Sequence, residues 1–260
     1  MSDFLLSKWY LDCVAEDGTT FIGYAAILRW KAFSINFSNI LTCRPHKKPH
    51  SEISLLKEKL PEQYDSTVNW NSDSFKMEGG WKGMSKPIKQ RLYKSNDGEI
   101  NWSCLLPLAK AKVKLGDLLI SGTGYAEYMT ITIAPWKLPI TELRWGRFLT
   151  NQESLIWIDW KGKLPKAFVF YNGEEITNPK ITDTKIIGNN DLHLSLAREN
   201  TLRSGPLILT TLSKIPKVRA IFPKSILNTC EYKWLSKGAF LLNKTSASSG
   251  WAIHELVKFR

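Results

Sequence analysis

No apolar run in this chain approaches the roughly 18–20 residues that a membrane-spanning helix requires. The opening residues, MSDFLLSKWYLDC, carry no basic segment followed by a long apolar stretch, so no secretory signal is expected. Cysteine is sparse: Cys13, Cys43, Cys104 and Cys230 stand far apart, without CxxC pairs or metal-like spacing. They read as reduced, mostly buried thiols of a cytoplasmic protein. Catalytic signatures are missing too, with neither a GxSxG elbow nor an HExxH pair. The four histidines are too dispersed to suggest a zinc site, and His46 and His50 fall in a polar, solvated loop, so no metal is implied. The GTGY stretch at 122–125 is followed by strand-like sequence, not by a helix whose N-terminus could hold phosphate. Helical periodicity is scarce, and no linker rich in Pro, Gly or Ser interrupts the chain.

Rings and positive charge are plentiful. Eleven Trp, eight Tyr and eleven Phe in 260 residues suit a wide β-barrel or sandwich interior, or a cavity lined for an apolar ligand. The net charge of +12 would serve a nucleic-acid surface or peripheral contact with an anionic membrane surface. The lysines and arginines are spread along the chain, however, with one small cluster at Arg44, His46, Lys47, Lys48 and His50. That spread reads as a basic solvated exterior and disfavours nucleic acid.

Strand signals dominate. Residues 8–14 lead through Glu16-Asp17-Gly18 into 20–30, a hairpin with a Gly-containing turn. A second hairpin turns at Asn96-Asp97-Gly98, and a third at Asn172-Gly173 within KAFVFYNGEEI. Further β-like runs are 117–121, 125–133, 142–149, 154–160, 192–196, 206–212, 230–235 and 250–258. Residues 51–60, SEISLLKEKL, have the spacing and the Ser cap of a short helix. The polar stretch 61–90 reads as a long excursion. About fourteen strands exceed one eight-stranded barrel. The expectation is therefore an all-β chain of two barrel or sandwich modules packed together, 1–150 and 151–260, with a broad shared interface.

The segment 122–149, GTGYAEYMTITIAPWKLPITELRWGRFL, carries the chemistry. Alternation puts Tyr125, Glu127, Met129, Ile131 and Ile133 on one face of a strand. A carboxylate on that apolar face is costly unless paired or hydrogen-bonded; unpaired, its pKa rises and it becomes a proton donor near neutral pH. In 143–149, Trp145 and Arg147 share one face and Arg144 takes the other, so one arginine could point inward beside Glu127. The same residues read equally well as a buried Glu–Arg pair that fixes the sheet. Pro135-Trp136 through Pro139 forms a stiff connection. Asp159 shares a face with Leu155 and Trp157, Glu255 with Trp251 and Ile253, and Asp12 with Tyr10 and Val14. Each alone suits a structural acid; together they suggest that at least one lines a cavity.

A Gly-x-Gly-Tyr-x-acid strand (Gly122, Gly124, Tyr125, Glu127) followed by Trp145, Gly146 and Arg147 resembles the lipocalin-like superfamily of carotenoid 1,2-hydratases (hydroxyneurosporene synthases) and AttH-like proteins, and more distantly tocopherol cyclases. The match covers about thirty residues, and beyond them the likeness is one of strand pattern and length. The resemblance implies two lipocalin-like modules with an apolar cavity at or near their interface, and acid-initiated chemistry without a cofactor on a hydrophobic small-molecule substrate. Glu127 would protonate a carbon–carbon double bond, aromatic faces would shelter the cation, and water or an internal hydroxyl would capture it. Tyr125, Trp102 and Trp145 would wall the cavity, and Arg147 would hold a polar substrate end or tune Glu127. Met129, Arg144, Trp157 and Asp159 complete the candidate substrate-binding set. Glu at position 127 lies closer to the cyclase pattern than to the Asp of the hydratases, which leaves hydration and cyclisation both open. A non-catalytic carrier of an apolar molecule and a basic barrel that stacks single-stranded nucleic acid are the competing readings.

Overall fold

The computed structural model describes residues 4–189, 191–210, 212–213, 222–243 and 246–259. The described residues form two antiparallel sheets and almost no helix, as the alternating runs and turn signals predict. The first sheet holds β1 (Phe4–Val14), β2 (Thr20–Trp30), β3 (Phe33–Cys43), β4 (His50–Ser54), β5 (Glu62–Tyr64), β6 (Thr67–Ser72), β7 (Met77–Gly83), β8 (Ile88–Ser95), β9 (Gly98–Leu115) and β10 (Leu118–Ile131). Their order is β4-β3-β2-β1-β10-β9-β7-β6-β5, with β8 also paired to β9. The second holds β11 (Ile140–Leu149), β12 (Ser154–Gly162), β13 (Lys166–Tyr171), β14 (Glu174–Glu175), β15 (Lys180–Ile181), β16 (Lys185–Gly188), β17 (Leu192–Pro206), β18 (Cys230–Leu242) and β19 (Ser246–Lys258). Here the order is β14-β13-β12-β11-β19-β18-β17-β16-β15. Among the described residues no helix is long and apolar enough to cross a membrane, and all four cysteines are free and buried.

Two compact units result, Met1–Leu138 and Pro139–Arg260. The division falls at Pro139, upstream of residue 150, because β11 pairs on one side with β12 and on the other with β19. Residues 140–149 are therefore a central strand of the second sheet. The Pro135–Lys137 turn ahead of it is a single 3-10 turn with proline in its first positions. It is anchored within the first unit by Trp136, whose ring lies 4.9 Å from Trp30 and 5.9 Å from Phe4.

The first unit buries Leu11, Phe21, Ile40, Val68, Trp70, Trp81, Leu106 and Ala126 in one core. Ile40 on β3 and Trp70 on β6 are far apart in the sheet order, so the sheet must curl around this core to bring them together. Side chains tie the two ends. Glu58 accepts hydrogen bonds from the Ser72 hydroxyl and the Ser74 amide, and the Ser54 and Ser74 hydroxyls lie 3.2 Å apart. The second unit buries Phe148, Leu155, Trp157, Val169, Ile186, Leu194 and Phe240. The Asn172-Gly173 hairpin forms as expected, with φ of 49° and 91° at its two central residues, the left-handed geometry that such turns need.

Three local expectations are overturned. Residues 51–60 do not form a helix: β4 pairs with β3, where buried Asn39 donates to the Glu52 carbonyl at 2.6 Å and to Ser51 at 2.9 Å. Sheet pairing outweighs a weak local propensity there. Residues 61–90 are not an excursion. Val68, Trp70 and Ser72 point inward while Asn69 and Asn71 face out, and Met77, Gly79 and Trp81 do the same on β7. The polar composition hid a period-two strand pattern. The run 206–212 is no strand beyond Pro206, because the Leu209 and Leu212 amides turn back onto the carbonyls of Pro206 and Leu207; Thr211 lies outside the described residues.

Candidate active site

Glu127 sits on β10 on the face opposite the Trp-lined core, since its neighbour Ala126 belongs to that core. The two glycines before it have packing roles. A Cβ on Gly122 would meet the Val14 carbonyl oxygen at 2.0 Å, and one on Gly124 would meet Asp12 O at 2.7 Å and the Trp81 ring at 2.8 Å. Gly124 thus lets the Trp81 indole approach and donate to the Asp12 carbonyl at 2.7 Å. The β9–β10 register is irregular between Gly124 and Glu127. Such bulges re-aim side chains.

Two donors converge on one carboxylate oxygen. Trp102 Nε1 donates to Glu127 Oε2 at 2.6 Å, and the Tyr125 hydroxyl donates to the same atom at 2.7 Å. A buried carboxylate becomes a proton donor near neutral pH only where it lacks partners, so these bonds change the chemistry expected of Glu127. They favour the carboxylate, while burial opposes it. They also fix the geometry. With Oε2 accepting twice, the proton of a neutral Glu127 belongs on Oε1. Burial pushes the Tyr125 phenol well up, reinforced by Cys104 and Glu127, so Tyr125 remains a donor across the working pH range. Burial likewise pushes the Cys104 thiol well up, which makes it a poor nucleophile.

A second carboxylate stands beside the first. In the β1–β10 register Tyr10 lies opposite Glu127 and Asp12 opposite Tyr125, and the Tyr10 hydroxyl donates to Asp12 Oδ2 at 3.0 Å. The Tyr10 ring lies edge-on to Tyr125 at 5.9 Å and to Tyr24 at 5.2 Å. Each acid therefore carries its own tyrosine, two residues away on its own strand. Asp12 is 0% exposed and Glu127 4%. Met129 lies opposite Trp102 in register, on the Glu127 face.

The candidates after residue 139 occupy the second unit. Trp145 and Arg147 share one face of its sheet. Arg147 is fully buried and its Nη1 donates to the Trp251 carbonyl at 2.8 Å. Trp145 lies 5.6 Å from the ammonium of Lys233, which is itself buried and bridged to Glu255 and Glu231. Arg144, Trp157 and Asp159 take the opposite face. Arg144 contacts Glu142, Asp183 at 2.8 Å and Asp159 at 3.6 Å, so three acids of its own unit share its charge. Burial raises the Asp159 pKa despite Lys161 and Arg144 nearby. Trp157 lies over Gly146, where a Cβ would come within 2.2 Å of its ring.

The alternation of Asp12 with Tyr10 and the burial of Cys104 are legible in the sequence, whereas Lys233 and the buried Ser236–His254 pair, 2.8 Å apart, carry no sequence signal of a site. Their inward positions follow from alternation; their partners follow from strand register, which no local pattern carries.

No family model and no curated protein matches the chain. Solved structures do. CghA aligns with a TM-score of 0.63 at 12% identity, covering 100% of this chain and 89% of that one, and has also been solved with Sch210972. Kievitone hydratase from Nectria haematococca aligns at 0.59 with 10% identity over 97% and 88% of the two chains. An AttH-like protein from Nitrosomonas europaea aligns at 0.60 with 9% identity over 100% and 94%. Across its full length, the chain has the all-β fold that these structures share.

Proposed function

We propose that this protein is an acid-catalysed, cofactor-independent hydratase or cyclase that acts on a carbon–carbon double bond of a hydrophobic polyene or isoprenoid-type substrate, with Glu127 as the acid. The observation that carries this reading is the buried carboxylate held by Trp102 and Tyr125 through a single oxygen. In the reaction the π electrons take the proton from Oε1, forming a C–H bond and leaving a cation on the neighbouring carbon. The O–H electron pair stays on Glu127. As that charge develops, the two hydrogen bonds become charge-assisted and strengthen, so they favour the transition state over the ground state. The faces of Tyr10, Tyr125 and Trp102 shelter the cation. Water or an internal hydroxyl closes the new bond, and its proton returns to the carboxylate. Kievitone hydratase, a hydratase by name, lends support through the shared fold.

The test begins with mass spectrometry of small molecules that co-purify with the protein. Incubation of the wild-type protein with the recovered compound should give a hydrated or cyclised product, while Glu127→Gln should bind the compound and return it unchanged. Turnover by Glu127→Gln at the wild-type rate would sink the proposal. The two donors on Oε2 also suit a second reading, a carrier whose carboxylate is structural. In that case the wild-type protein too returns the compound intact.

A further inference from the structure

On the exposed face of the first sheet, β7 and β9 break the usual pattern of charge pairing. Glu78 on β7 stands opposite Lys114 on β9, the complementary arrangement expected across two strands. Two rows along, Lys82 stands opposite Lys110, and between them Gly80 stands opposite Lys112. Like charges directly opposite one another are unfavourable. All three lysines are exposed, and none takes part in an ion pair among the described residues. Neighbouring strands are about 5 Å apart and alternate residues on one strand about 7 Å apart, so the three ammonium groups can reach one ligand.

The surface there is concave. Gly80 has no side chain to fill the middle row, and Asn69 leans across it, 3.4 Å from where a Cβ would stand. The result is a trough of about 340 Å³ lined by Lys82, Lys110 and Lys112 together with Thr67, Asn69 and Ser121. Three cations and three uncharged hydrogen-bonding groups line this shallow, open trough.

We propose that this trough binds a small soluble oligophosphate, a compound carrying two or more linked phosphate groups. Its charge matches three lysines, its bridged oxygens match their spacing, and the hydroxyl and amide groups supply uncharged partners. The extent of the positive surface argues against a larger polyanion: Glu78 closes the row on one side and the exposed Leu119 lies beside Lys114. This inference does not depend on the role of Glu127.

Isothermal titration of the whole protein with inorganic tripolyphosphate at low salt tests it. The wild-type protein should bind, and Lys110→Gln/Lys112→Gln should bind at least 10-fold more weakly. The control Lys47→Gln/Lys48→Gln removes the same charge from the basic cluster at 44–50, outside the trough, and should bind like wild type. Replacing Lys110 also removes one partner of the facing Lys82–Lys110 pair, so the melting temperature of the Lys110→Gln/Lys112→Gln variant should be unchanged or raised. Absence of binding to the wild-type protein, or equal weakening in both variants, would overturn the proposal. So would tighter, Lys110- and Lys112-dependent binding to phosphatidic acid vesicles or duplex DNA than to tripolyphosphate.

Discussion

His254 should make the protein acid-labile in a way that can be assigned to one side chain. It lies on β19, 3% exposed, with its Nε2 2.8 Å from the Ser236 hydroxyl and its ring 5.2 Å from Trp234 and 6.3 Å from Trp157. Burial is the main cause that pushes its pKa down from 6.5 to about 4; Arg198 and Lys233 add to the shift and Asp183 opposes it. The unfolded chain therefore takes up a proton at this residue before the folded one does. Stability on this account is full above pH 6.5, falls as the pH drops, and has lost its whole contribution near pH 4. A difference of about 2.5 pKa units corresponds to about 3 kcal/mol, a large part of a typical folding free energy. Denaturant unfolding followed by tryptophan fluorescence at pH 7, 6, 5 and 4 would measure it, with His254→Gln as the comparison, since Gln can still bond Ser236 but does not titrate. Carboxylates titrate in both proteins, so the informative quantity is the difference between their two pH profiles. The wild-type protein should lose about 3 kcal/mol more than the variant between pH 7 and pH 4. Parallel profiles would refute the reasoning, as would proton NMR showing all four histidines of the folded protein titrating near pH 6.5.

Trp102→Phe keeps a ring beside Glu127 but removes the indole donor. A hydrogen bond to a developing charge contributes about 1.5–3 kcal/mol, so kcat should fall roughly 10- to 150-fold with KM little changed; an unaltered kcat would separate Trp102 from the proton transfer. Gly146→Ala places a methyl group within 2.2 Å of the Trp157 ring and 2.7 Å of the His254 Cβ. Overpacking of this kind costs about 1–3 kcal/mol, and a thermal melt no lower than wild type would show that the ring can move aside.

Much of the architecture was legible in the sequence because alternation is a property of one strand at a time. Tyr125 and Glu127 share a face since successive side chains leave a strand on opposite sides, and the tyrosine reaches the acid two residues away without help from the rest of the fold. The Asn172-Gly173 hairpin was readable for the same local reason: those two residues accept the positive φ that the turn needs. In the polar stretch holding Val68, Trp70 and Trp81 the period is present too, but polar composition masks it.

What only the tertiary structure decided is which faces meet. Trp102 reaches Glu127 from β9 across a bulged register, and the Tyr10–Asp12 pair comes to Tyr125 and Glu127 from a strand more than a hundred residues earlier in the chain. Arg144 lies among Glu142, Asp159 and Asp183 because β11 belongs to the second sheet. The sequence by itself determined a two-sheet β protein and a carboxylate beside a tyrosine on one strand face. The register between strands distant in sequence, set by the packing of whole sheets, determined that the carboxylate accepts two hydrogen bonds at one oxygen and has a second acid beside it.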